Sequence, residues 1–246
     1  MKIGIAQLSV LRGEVEFNIS KHVQLINAAI QQDASAIFFP ELSITGYEPT
    51  LAQGLAFSSD DSRLDVFQKL SDTHQIIIGF GLPTVGDDKP HISMIIFEPA
   101  KTRIIYSKQY LHSGEELYFV PGNGQVFIEL MEYKIAPAIC YESSVRAHQD
   151  HAMSHGANIY LASVLNSKTG IDKEMKGLSE VAAKKNIIVM MSNYIEETGG
   201  YDAGGKSAIW NKDGSIANQL SESDEGLLVY DLTTQECISE IVFFQN

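Results

Sequence analysis

Cysteine is scarce in this sequence: only Cys140 and Cys237 occur, in unlike surroundings. Such a pair does not build the cross-linked framework of small secreted domains. Positive charge is short as well, with 18 Lys and Arg against 31 Asp and Glu and a net charge of −13. A surplus of that sign argues against nucleic acid or an anionic membrane as the main partner. Long apolar runs are missing, and none approaches the ~18–20 residues of a membrane span. The opening "MKIGIAQLSVLRGE" reads as a first strand. It lacks the apolar stretch and small-residue cleavage site of a secretory leader, so a cytoplasmic protein is expected. No Pro-, Gly- or Ser-rich linker interrupts the chain, and one domain is expected over residues 1–246. What the sequence does have is apolar material: 44% of its residues are hydrophobic, enough for a sizeable core.

That material is spaced in an alternating rhythm. "KIGIAQLSV" and "ASAIFF" read as strands, and between them "NISKHVQLINAAIQQD" places Ile19, Val23, Ile26 and Ile30 on one helical face. "SDDSRLDVFQKLSDTH" opens on capping residues and spaces Leu64, Phe67 and Leu70 as a helix. "QIIIGFGLP" is a strand, "HISMIIFEPAKTRIIYSK" two strands about a turn, and "QVFIELMEYKIAPAIC" another pair. A helix "SSVRAHQDHAMSHG" ending on Gly156 follows, then a strand "NIYLASV", a helix "DKEMKGLSEVAAKKN" and a strand "IIVMMSN". The end is β-rich, with a hairpin in "KSAIWNKDGSIANQL" and a strand in "GLLVYDL". Helices alternating with strands and hairpins predict an α/β protein layered on mixed sheets.

Three strand ends carry unusual residues. "IAPAIC" closes on Cys140, "AIFFPE" on Glu41 and "RIIYSK" on Lys108. Open α/β sheets place ligand sites at the carboxyl ends of their strands. A thiol, a carboxylate and an ammonium brought together suffice for nucleophilic catalysis. The cation lowers the thiol pKa, and the carboxylate takes the thiol proton and later serves leaving group and water. Position alone leaves a second possibility open, in which Cys140 is a small buried hydrophobe and Glu41–Lys108 a structural ion pair.

Taken together, "FFPELSITGY", "YSKQYL…GEELYFVPG" and "IAPAICYESS" resemble the three signatures of the nitrilase superfamily of carbon–nitrogen hydrolases. The resemblance runs from "KIGIAQ" to "GKSAIWNKDGS". It implies a four-layer αββα sandwich that pairs with a second subunit, hence a homodimer or larger assembly. It also implies Glu41 as general base, Lys108 as the group stabilising the tetrahedral intermediate, and Cys140 as the thioester-forming nucleophile. The second glutamate frequent in the family falls on Glu115, with Glu116 as the neighbouring alternative. The backbone N–H of Tyr141 is placed like the second donor of an oxyanion hole, and Tyr47, Tyr141 and Glu142 are the expected substrate contacts. The activity implied is hydrolysis of a small, linear, non-peptide amide or N-carbamoyl compound, with no cofactor and no metal. Acyl transfer or nitrile hydrolysis by the same residues, and a non-catalytic scaffold, are the alternatives.

Some positions depart from the family pattern. The run after the nucleophile is "CYESSVRAH", so Arg146 stands later than the arginines that bind a substrate carboxylate in carbamoylase-type members. Two other motifs compete. Gly200–Ser207, "GYDAGGKS", fits a phosphate-loop pattern, but β-type residues follow where that loop needs a helix. His148, His151 and His155 share a helical face, as zinc ligands would, yet histidines near a helix C-terminus also suit its dipole without metal. A Cys140 dyad with His112 or His148 lacks a recognisable orienting Asn or Asp. Cys237, in "ECISEIVFF", reads as structural.

Overall fold

Strict alternation along the strands decides the layers. In a strand successive side chains point to opposite faces. The first strands are β1 (Lys2–Gln7), β2 (Ala34–Phe38), β3 (Ile77–Thr84) and β4 (His91–Phe97). On them Ile3, Ile5, Ala36, Phe38, Met94 and Ile96 face one core, while Ile37, Ile78, Phe80 and Ile95 face another. The structure, a computed structural model, describes residues 1–244.

These strands belong to a seven-stranded sheet ordered β15-β14-β1-β2-β3-β4-β5. Its other members are β5 (Ile104–Ser107), β14 (Gly226–Asp231) and β15 (Cys237–Ile241). A six-stranded sheet, ordered β13-β12-β9-β8-β7-β6, holds the second half. It is built from β6 (Ile128–Leu130), β7 (Tyr133–Ile139), β8 (Ile159–Ser163), β9 (Ile188–Ser192), β12 (Ala208–Trp210) and β13 (Ile216–Gln219). Ile135, Ile139, Leu161 and Met190 of this sheet meet the inner face of the first in one core. Fully burying each such side chain contributes about 1.5–3 kcal/mol. The inter-sheet layer is therefore the main apolar bond between the two halves.

Helices close the outer faces. α1 (Val15–Gln31) and α2 (Asp65–His74) cover the first sheet. Of the expected α1 stripe, Ile19 and Ile26 enter the core and Val23 and Ile30 pack at its edge. α3 (Arg146–Ser154) and α4 (Ile171–Lys185) cover the second sheet. α4 carries Asp172 and Glu174 in its first turn and Lys184 and Lys185 in its last, as the helix dipole favours. Gly156, just past α3, has φ +81°, the left-handed stop expected of a helix C-terminus. The order of layers is αββα.

One element escaped the sequence reading. β10 (Ile195–Thr198) and β11 (Tyr201–Gly204) form a separate two-stranded ribbon, turning through Gly199 and Gly200, both at positive φ. A Gly-Gly pair is a hairpin signal, but the strands around it are too polar to announce themselves. The phosphate-loop pattern lies in this ribbon and runs on to β12, so no helix N-terminus stands behind it, and Lys206 instead pairs with Asp172 and Glu222. No helix among the described residues is long and apolar enough to cross a membrane.

Candidate active site

The three marked strand ends meet where the two sheets face each other. β2 continues through Phe39 and Pro40 to Glu41, and the next residue, Leu42, turns left-handed at φ +53°. This segment passes so close to β3 that a Cβ on Gly81 would lie 2.0 Å from the Leu42 nitrogen. Only glycine fits there. Buried α1 side chains hold the same segment: His22 Nε2 contacts Ser43 Oγ at 2.8 Å, and Asn18 donates to the Ile44 carbonyl at 3.0 Å. The Tyr194 hydroxyl donates to the carbonyl of Glu41 itself.

Lys108 leaves β5 with its N–H on the Ile92 carbonyl at 2.8 Å. Cys140 leaves β7 at φ +49° and opens a 3-10 turn, Cys140–Ser144. A left-handed, non-glycine residue is strained by about 1–3 kcal/mol and persists only where its surroundings impose it. The first N–H groups of a helical turn have no partner within it, and Tyr141 is the second residue of this turn.

The side chains form a buried chain of charge. Lys108 Nζ lies 2.8 Å from Glu41 Oε1 and 2.8 Å from Glu115 Oε1. Glu115 also accepts from the Tyr47 hydroxyl at 2.8 Å and from the His112 N–H at 2.7 Å. Lys108 is fully buried, and Glu41 is 1% exposed. Glu41 Oε2 is buried with no hydrogen-bond partner. An orphaned carboxylate oxygen of this kind is costly and marks where a proton can be received.

Burial sets the protonation states. It pushes the Glu41 pKa up to about 7, opposed chiefly by Lys108 and aided by the charge of Glu115. Burial alone would weaken the Lys108 ammonium, but the negative groups around it, Glu41 first, outweigh that and keep it protonated. For Cys140, burial and then the Glu41 charge raise the thiol pKa against the pull of Lys108. The sequence reading expects the cation to acidify this thiol. Here desolvation and then the Glu41 charge outweigh the pull of Lys108, and Sγ lies 3.8 Å from the Leu165 carbonyl. The thiol that must lose a proton and the carboxylate able to take it line the same cavity.

A cavity of about 240 Å³ opens onto Cys140 and the two carboxylates, while Lys108, fully buried, is not in its lining; it is smaller than the ~300–1,000 Å³ typical of drug-sized ligands. Glu41, Glu115, Cys140, Tyr47 and Tyr141 line it, as expected. Glu115, not Glu116, is the glutamate on Lys108; Glu116 is exposed and accepts from the Gly114 N–H. The expectation that Glu142 contacts substrate is corrected. Glu142 is fully buried and turned away from the cavity. It accepts from the N–H groups of Gln109 at 2.6 Å and Ile139 at 2.8 Å, and from the Tyr106 hydroxyl at 2.7 Å. It thereby ties the nucleophile's turn to the loop after Lys108.

The histidines go elsewhere. His148 is buried between the hydroxyls of Tyr106 and Tyr160, and burial lowers its pKa to about 4. His151 contacts Gln125 and stacks near His155. No group of three His, Cys, Asp or Glu among the described residues is arranged to hold a metal. Neither His112 nor His148 hydrogen-bonds the Cys140 thiol. The sequence reading missed Asn166, Glu174 and Tyr201, which also line the cavity. Asn166 follows β8, so the strand-end rule that found the other three could have found it. Glu174 comes from the first turn of α4, and only the packing of that helix brings it here.

Comparison with known proteins places this geometry. A cysteine-to-alanine variant of the amidase from Nesterenkonia sp. AN1 in complex with butyramide matches with a TM-score of 0.85 at 21% identity, covering 96% of this chain and 92% of that one. A glutamate-to-glutamine variant of the same amidase shows covalent addition of the acetamide moiety of fluoroacetamide at its active-site cysteine. It matches with a TM-score of 0.84 at 22% identity, over 94% of this chain and 90% of that one. At such identities the likeness establishes the fold. The glutamine-dependent NAD(+) synthetase of Acinetobacter baylyi is 25% identical over 236 residues, 92% of this chain and 43% of the relative. That of Thermotoga maritima is 21% identical over 246 residues, 96% of this chain and 42% of the relative. The chain spans less than half the length of these curated relatives. A family model described as carbon-nitrogen hydrolase matches residues 2–240, and the chain belongs to the carbon-nitrogen hydrolase family.

Proposed function

We propose that the protein hydrolyses a small linear amide or N-carbamoyl compound through a thioester on Cys140. The observation that carries this reading is the buried, unpartnered Oε2 of Glu41, in a carboxylate whose other oxygen is held by Lys108 and whose neighbour is the Cys140 thiol. As Sγ attacks the carbonyl carbon, Glu41 takes the thiol proton. The carbonyl oxygen gains the electron pair and is stabilised by Lys108 Nζ and the Tyr141 N–H. Glu41 returns its proton to the nitrogen as the C–N bond breaks, and ammonia or an amine leaves. A water, deprotonated by Glu41, then attacks the thioester and frees the acid and the thiol. Glu115 holds Lys108 in line and completes its charge balance.

A second reading takes glutamine as the amide donor, favoured by the glutamine-dependent relatives found by sequence. Assembly as a homodimer or larger belongs to both readings and rests on family likeness; light scattering tests it. The chemistry is tested by intact-mass detection of an acyl adduct over a panel of small amides and glutamine, with Cys140→Ala as control. Product analysis with and without an added amine separates hydrolysis from acyl transfer. Adducts on the wild type that vanish in Cys140→Ala support the mechanism. Turnover by a folded Cys140→Ala variant contradicts it.

A further inference from the structure

Glu41, Glu115 and Cys140 line the cavity, and the rest of its lining bears on the remainder of the substrate. Glu174 reaches it from α4, with Oε1 accepting from the Ser143 hydroxyl at 2.5 Å. Among the described residues no cation pairs with this carboxylate, in contrast to Glu41 and Glu115, which share Lys108. Burial raises the Glu174 pKa, opposed by the Ser143 hydroxyl and more weakly by the charge of Lys173.

Aromatic rings stand on the same cavity. Tyr47, Tyr141 and Tyr201 all line it, and Tyr47 and Tyr201 meet edge-on with centroids 6.1 Å apart. Aromatic faces with a carboxylate nearby are the usual means of seating an alkylammonium group. No lysine or arginine among the described residues lines the cavity. Lys168 pairs with Asp202 at 2.9 Å, and Lys206 with Asp172 and Glu222 at 3.0 Å each. Arg146 pairs with Asp150 at 3.4 Å and does not line the cavity. A substrate carboxylate, including that of glutamine, would find three glutamates in the lining and, among the described residues, no lysine or arginine.

We propose that Glu174 and the tyrosines form a subsite for a cationic substrate tail, so that the preferred amide or N-carbamoyl compound carries an ammonium group at its far end. This rests on the amidase reading given above. It assigns Glu174 as a specificity-determining residue that takes no part in the bond-breaking steps.

The test is kcat/KM for three amides of similar length: γ-aminobutyramide, a cation; pentanamide, its neutral counterpart; and succinamate, an anion. The expected order is cation, then neutral, then anion. Glu174→Gln should lower kcat/KM for the cation about ten- to hundredfold more than for pentanamide, as loss of a charge-assisted contact does. Tyr201→Leu should shift the preference in the same direction by less. The subsite is overturned if wild type treats the three alike or prefers the anion, or if Glu174→Gln lowers all three equally. Failure of all three to acylate Cys140 overturns the amidase reading, and this inference with it.

Discussion

Two glutamates flank the turn that carries Cys140, and both are buried. Glu41 is 1% exposed and Glu142 fully buried, and burial raises the pKa of each. Their partners differ. Glu142 has its oxygens occupied by three backbone N–H groups, those of Gln109, Tyr110 and Ile139, and by the Tyr106 hydroxyl. Glu41 has one oxygen on an ammonium and the other on nothing. A satisfied buried carboxylate is a fastener. An unsatisfied one beside a thiol is a base. The same residue type, at the same depth, is divided into structural and chemical roles by its hydrogen-bond count.

The largest effect that would sharpen this contrast lies on the side of Glu41. Lys108→Met removes the donor aimed at the developing oxyanion and should slow acylation by about a hundred- to thousandfold, or ~2.7–4 kcal/mol. Stopped-flow acylation kinetics measure it, and a loss below about tenfold would remove Lys108 from the oxyanion site. On the side of Glu142 the expected loss is in stability. Glu142→Gln turns an NH₂ group toward backbone N–H donors and should destabilise the fold by about 1–3 kcal/mol. Denaturant melts read this directly, and a change in turnover without a change in stability would put Glu142 back in the chemistry. The smallest effect belongs to Glu116, exposed beside the glutamate that holds Lys108. Glu116→Gln should leave turnover within about twofold, and a large loss would reverse the assignment of Glu115.

Much of this division was legible in the sequence, and the reason is local. Glu41, Lys108 and Cys140 each follow an apolar strand, and the carboxyl ends of strands are where such sheets expose function. The alternation of helices and strands gives an α/β protein on mixed sheets, and the four layers come from the family signatures. Glu142 misled because the letters "CYE" place it next to the nucleophile, while the turn they form rotates it into the protein. Glu174 was invisible because it belongs to another helix. Residue order shows that a cation is near Cys140, but not that desolvation and the charge of Glu41 pull its pKa the other way. Depth and distance are tertiary quantities.

The most direct test is the pH titration of the Cys140 thiol, followed by alkylation rate with peptide mapping, in wild type and in Glu41→Gln. The wild-type thiol should remain protonated at neutral pH, because burial and the Glu41 charge both disfavour the thiolate. Glu41→Gln removes that charge while Lys108 stays, so the thiol should ionise at lower pH even as amide turnover collapses. Acylation by wild type should in turn fade as pH falls through about 7, where Glu41 gains its proton. A wild-type thiol already ionised at neutral pH, with no downward shift in Glu41→Gln, would contradict Glu41 as the base that takes the Cys140 proton.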